Sequence, residues 1–122
     1  MIGTSRFNIT DRILAHAAAR PADPAIIHKT TTWSYAELVE RMGALAEALV
    51  AHGAVVDRPS PRVGLACGDG LPYVVLALGL LRAGACVVPI ASELARDERE
   101  RIVRSLGLSA LVVGPGFEAG AV

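Results

Sequence analysis

The sequence has no surplus charge of either sign. Twelve basic and twelve acidic side chains cancel, and the isoelectric point is near 6.8. That balance excludes bulk attraction to nucleic acid or to an anionic membrane surface. Lysine is nearly missing: Lys29 stands alone beside eleven arginines, so amine chemistry has one candidate. The opening residues MIGTSRFNIT lack the basic stretch and apolar run of a secretory leader. There are two cysteines, Cys67 and Cys86, and they have no metal or redox spacing. His16, His28 and His52 are scattered, without acidic or cysteine neighbours at ligand spacing. No G-x-x-x-x-G-K-[ST] loop and no nucleophile elbow is present.

Apolar residues are abundant. They make up 52% of the 122 positions, with a mean hydropathy of +0.45. The length suggests one domain with a real core. The longest apolar stretch, LPYVVLALGLLRAGACVVPIA at 71–91, holds one charge, Arg82, at its midpoint. About 20 apolar residues suffice to span a bilayer. A central arginine, however, costs about 2.5–3.5 kcal/mol on insertion scales. Arg82-Ala83-Gly84 is a helix ending, with a cation in the last turn and a glycine beyond it. Val87-Val88 then favours a strand, which Pro89 stops. The stretch is therefore expected to be a helix, a tight turn and a buried strand, with no membrane span.

The neighbouring segments extend this pattern. Asn8 is placed to cap a helix over 9–20, with Asp11 in its first turn and Ile9, Ile13, Leu14 and Ala17 as an apolar stripe. Residues 25–28 and 32–33 flank Lys29-Thr30-Thr31 as a short hairpin. Ser34 and Glu37 form a capping box. The helix it opens places Leu38, Met42, Leu45 and Leu49 on one face and pairs Glu37 with Arg41 outside. After Gly53 and the loop DRPSP at 57–61, the rhythm becomes strand 62–67, helix 71–83, strand 85–89, helix 93–106, Gly107 and strand 110–113. Such β-α-β-α-β alternation with continuously apolar strands predicts an α/β fold. Its centre is a partial, doubly wound parallel sheet, preceded by a helix, a short hairpin and an amphipathic helix. In parallel neighbours Cys67 and Cys86 would be offset by roughly four residues, about 13 Å at ~3.3 Å per residue. That exceeds disulfide reach and predicts two buried free thiols in a reducing cytoplasm.

Chemical motifs are sparse. Gly68-x-Gly70 sits at a strand-to-helix turn, but the third glycine of the dinucleotide fingerprint is absent and Asp69 would repel a phosphate. A plain turn with Asp69 as helix cap is the expectation. ARDERERIVR at 95–104 interleaves Arg96, Arg99, Arg101 and Arg104 with acids. Asp97–Arg101 and Glu100–Arg104 pairs on a solvated face, with Ile102, Val103 and Leu106 inward, fit better than a nucleic-acid patch. Trp33 and Tyr35 are core or helix-entry residues. Spacing alone gives no catalytic, cofactor-binding or metal-binding residue.

The order of segments adds a resemblance. TWSYAEL at 32–38, LRAGACVVPI at 81–90 and the later helix–glycine–strand ending in LVV resemble, in sequence and spacing, the opening of the adenylate-forming (AMP-binding) enzymes. These are the acyl-CoA synthetases, peptide-synthetase adenylation domains and luciferases. The resemblance covers about residues 8–114. It departs after Pro89-Ile90, where Ala91-Ser92-Glu93 replaces the usual acid or amide and second proline. It implies that 1–122 is the N-terminal part of a longer AMP-binding ligase domain and that GPGFEAGAV at 114–122 is an interruption. The implied reaction is acyl-AMP formation from ATP, then thioester formation on CoA, with a carrier-protein pantetheine as the alternative acceptor. ATP, Mg and CoA would be held by the family's Pro-Lys-Gly loop, ribose-binding acid and lid lysine, none of which has a counterpart here. The remainder of the parent synthetase is then the expected partner, and self-association of the fragment is a further expectation. A stand-alone, non-catalytic binding module is the alternative. Its site would lie beyond the strand ends at 67–71, 89–92 and 114–116.

Overall fold

The structure, a computed structural model, describes residues 8–68, 70–91 and 93–113. The elements run α1 (Asp11–Ala19), β1 (Pro24–His28), β2 (Thr31–Ser34), α2 (Tyr35–Ala51), β3 (Arg62–Ala66), α3 (Leu71–Arg82), β4 (Cys86–Pro89), α4 (Arg96–Leu106) and β5 (Ala110–Val113). β1 and β2 pair antiparallel, with Lys29 at the turn in a left-handed conformation (φ 56°). The remaining strands form one parallel sheet in the order β4-β3-β5. This is the α/β architecture that the alternation predicts.

Local signals set most boundaries. The Ser34 hydroxyl accepts the Glu37 N–H at 3.1 Å, and Glu37 Oε1 accepts the Ser34 N–H at 2.9 Å, which closes the capping box. Leu38, Met42 and Leu49 are buried along α2, joined by Ala46, while Leu45 packs half-buried against the core. The expected Glu37–Arg41 pair does not form. The Glu37 carboxylate is turned back to its own cap, and the Arg41 guanidinium lies 4.3 Å from the centre of the Trp33 ring. α1 begins two residues later than expected. Asn8 Oδ1 accepts the Thr10 N–H at 2.9 Å, as a cap would, but residues 9 and 10 form a turn. Residues 71–91 are α3, a turn through Gly84 (φ 94°) and β4. Among the described residues, no helix is long and apolar enough to cross a membrane.

The connections β3–β4 and β4–β5 run in opposite directions across the sheet. Right-handed crossovers therefore put α3 and α4 on opposite faces. The side chains of β3 alternate to match. Val63, Leu65 and Cys67 join Leu49, Val55, Leu80 and Ala85 in the main core beneath α2 and α3. Gly64 faces the other layer, which is so close that a Cβ there would lie 2.7 Å from Leu111 Cδ1, 2.9 Å from Leu108 Cδ1 and 3.3 Å from Ile90 Cγ1. The two nearest atoms end flexible leucine chains and can give way partly. Gly64→Ala should therefore cost about 1–2 kcal/mol, measured as a lower urea midpoint with an unchanged slope.

Several sequence expectations about the cysteines and α4 are corrected. The thiols are both free, but only Cys67 is buried; Cys86 opens the edge strand β4 and is exposed. The register pairs Arg62 with Cys86, so Cys67 lies about 16 Å further along at ~3.3 Å per residue. α4 starts at Arg96 rather than at 93, where Glu98 Oε1 accepts the Ala95 N–H at 3.2 Å. Its pairing also differs. Arg96 meets Glu100 at 3.8 Å, and Asp97 Oδ1 instead accepts the Glu98 N–H at 3.0 Å. The inward face is carried by Arg99, which is buried, with Ile102 and Val103 half-buried; Leu106 in the last turn is exposed.

Candidate functional site

In an open parallel sheet, ligands collect beyond the strand C-termini where successive crossovers leave on opposite faces. Here that point lies between β3 and β4. After Ala66 and Cys67 the chain turns through Gly68 (φ 75°) and Gly70 (φ 85°), conformations that an L side chain resists, and enters α3. After Pro89 it runs through Ile90 and Ala91 towards α4. Between these turns is a cavity of about 800 Å³ lined by Gly68, Gly70, Tyr73, Val74, Pro89, Ile90, Ala91 and Glu93. Two of the three segments expected to frame a site thus meet around one opening. Asp69, Ser92 and 114–116 lie outside the described residues, so the expected Asp69 cap lies there too. The N-cap position of α3 itself is Gly70, with Pro72 in the first turn.

The opening offers little chemistry. Its ionisable side chains are Tyr73 and Glu93. The neighbouring Cys67 is buried, and that desolvation pushes its pKa up, so it stays a protonated thiol rather than a nucleophile. Glu93, on the loop before α4, is exposed. Among the described residues, no group of three His, Cys, Asp or Glu could hold a metal ion. Nothing in the sequence singles out Tyr73, Val74 or Glu93 as site residues. Their shared position arises only when the parallel register brings the two turns side by side.

A second opening of about 600 Å³ runs between α2 and α3. Trp33 and Arg41 border it, and Ala44, Leu45, Ala48, Val75 and Leu76 are among the residues that line it. It too has no nucleophile or acid–base pair.

Residues 13–121 match the sequence profile of the AMP-binding enzymes. The chain belongs to that family. It is 36% identical over 95 residues to the phenyloxazoline synthase MbtB of Mycolicibacterium paratuberculosis, a match covering 78% of this chain and 8% of the relative. It is 31% identical over 104 residues to the nonribosomal peptide synthetase ivoA of Emericella nidulans, covering 85% of this chain and 6% of the relative. The solved fatty acid AMP ligase of Legionella pneumophila is 28% identical with a TM-score of 0.71; the match covers 87% of this chain and 19% of that one. The chain thus spans less than a tenth of either synthetase's length. The match begins within α1 and continues past β5, so it takes in the hairpin, both helix layers and the whole described sheet.

Proposed function

We propose that this chain is the N-terminal part of a carboxylate-adenylating ligase domain and serves it as scaffold. The carrying observation is the contrast between a family match over residues 13–121 and a strand-end opening whose described lining offers only Tyr73 and Glu93 as ionisable groups, with no cluster of three metal-ligating side chains among the described residues. In the proposed parent, a substrate carboxylate oxygen attacks the α-phosphorus of ATP and pyrophosphate leaves. A thiol sulfur then attacks the acyl carbon of the acyl-AMP and AMP leaves. Chemistry of this type depends on positioning and on charge neutralisation at phosphate. This chain's contribution is to hold the turns after β3 and β4 in place.

Two acceptors fit the second step. The resemblance in sequence favours CoA. The 31% identity to a nonribosomal peptide synthetase favours a carrier-protein pantetheine, and we adopt that acceptor for the parent. The scaffold role is tested on the chain itself. Purified alone, the chain should give no carboxylate-dependent exchange of pyrophosphate into ATP. Exchange clearly above a no-protein control, lost on heat denaturation, would overturn the scaffold reading.

A further inference from the structure

α1 buries none of its own residues. Ile13, Leu14 and Ala17 are half-buried along one face. The polar contacts that fix it lie at its two ends, and the ends differ. Beyond its C-terminus, backbone bonds tie the chain to the start of α2: the Tyr35 N–H donates to the Asp23 carbonyl at 3.0 Å, and the Ala36 N–H to the Pro21 carbonyl at 3.1 Å. Arg20 and Asp23 add an exposed ion pair at 3.8 Å, and the His16 ring meets Tyr35 at 5.4 Å. The N-terminal end is held by side chains some 70 positions away in sequence. Arg82 Nη1 donates to Asp11 Oδ1 at 2.7 Å and to Thr10 Oγ1 at 3.1 Å, while Asn8 Nδ2 donates to the Leu81 carbonyl at 2.8 Å. Thr10 is fully buried beneath this cluster. The geometry brings the N-terminus of α1 against the C-terminus of α3, where Arg82 also complements the carbonyl end of its own helix.

We propose that α1 is a strap, hinged at Pro21–Asp23 and fastened at its far end by Arg82, which opens as a unit while the sheet stays folded. Units that bury less apolar surface open at lower free energy than the core; α1 has no fully buried residue, whereas α3 has Gly79 and Leu80. Opening would release Arg82 into the adjoining cavity of about 500 Å³, which it already lines together with Gly43, Glu47, Val50 and Ala83. The fastening is electrostatic. The hydrogen bond from Arg82, with a smaller contribution from the Asn8 backbone, holds the Asp11 carboxyl below the ordinary carboxylate range. A lowered folded value means that the clasp is at full strength above the unfolded value of about 3.9 and is lost as pH falls through the folded one. Arg82 and Asn8 are the groups that face Asp11.

Amide hydrogen exchange on the full chain tests the strap. Asp11→Asn should speed exchange of the α1 amides by roughly twofold to fivefold, the scale of an exposed pair. Arg82→Gln, which also strips Thr10 of its donor, should speed it by about tenfold. The double variant should exceed Arg82→Gln by little, because both changes break one cluster. Amides of β3 and α3 should keep their wild-type rates. In a carbon-detected titration, the Asp11 midpoint should rise towards the ordinary value in Arg82→Gln. Equal acceleration of α1 and β3 would mean that no separate unit exists, and unchanged α1 rates in Asp11→Asn would mean that the clasp does not fasten it; either overturns the proposal. Asp11 is half exposed, so its variant carries the test even if Arg82→Gln fails to fold.

Discussion

Leu80→Ala should lower the unfolding free energy by about 3 kcal/mol, within the 2–5 kcal/mol span of buried leucine truncations. Leu80 is fully buried on the sheet-facing side of α3, in one cluster with Val63 and Leu65 of the central strand and Leu49 of α2. The backbone there is fixed as well: the Leu80 carbonyl accepts the Ala85 N–H at 3.0 Å in the turn that launches β4. Helix and strand are thus tied together on the far side of the lost side chain, and the space cannot close by a simple shift of α3. The loss would remove a large share of a domain stability of about 5–15 kcal/mol. Urea unfolding followed by far-ultraviolet circular dichroism should show the midpoint falling at constant slope. Val74→Ala, on the same helix but 40% exposed, should change stability by less than about 1 kcal/mol. Equal losses at both positions would refute the core assignment.

Gly79→Val should be similarly damaging, for the opposite reason. A Cβ on Gly79 would lie 3.2 Å from both Cβ and Cγ of Leu45 and 3.3 Å from its Cδ2. These atoms lie at the root of the leucine as well as at its tip, so the side chain cannot swing clear and α2 must move away. Gly79→Ala sets that crowding against a helix-propensity gain of up to about 1 kcal/mol and should come out near neutral. Valine adds two methyl groups to the same crossing and should cost about 2–3 kcal/mol. Leu45→Ala should recover part of the valine penalty, because the smaller residue vacates the space that the methyls need. Strict additivity of the two changes in thermal or urea melts would show that α2 and α3 do not cross at this point.

The features legible in the sequence are those whose cause is local. Ser34 and Glu37 sit three residues apart and cap α2 as their spacing requires. The cation–glycine ending at Arg82–Gly84, and Gly107 in the left-handed region (φ 65°), close α3 and α4 where the sequence places them. What failed depended on distant partners. Helical spacing alone pairs Arg41 with Glu37, four residues away, but the hairpin delivers Trp33 beneath its guanidinium. Cys86 is apolar in context yet exposed, because its burial depends on which strand lies at the edge. Arg82 shows both sides. Its place in the last turn is readable, but its partners Thr10 and Asp11 are visible only in the fold. The candidate opening divides in the same way. The two glycine- and proline-marked turns follow from the strand-end rule, whereas Tyr73 and Glu93 join them only through the parallel register.

The order β4-β3-β5 also sets the sequence of events in folding. β3 occupies the middle of the sheet, yet it precedes both of its neighbours in the chain, with Arg62 waiting for Cys86 and Val63 for Ala110. One of its hydrogen-bonding edges waits for β4, behind α3, and the other for β5, behind both α3 and α4. By contrast, the hairpin and the start of α2 close on contacts between near neighbours. Long-range pairing is bought with loop-closure entropy and is slow, while local contacts form fast. During synthesis from the N-terminus, the first half of the chain can therefore settle early. The central strand is then presented as an open, apolar template until β5 arrives, and that interval is when this polypeptide is most exposed to wrong partners.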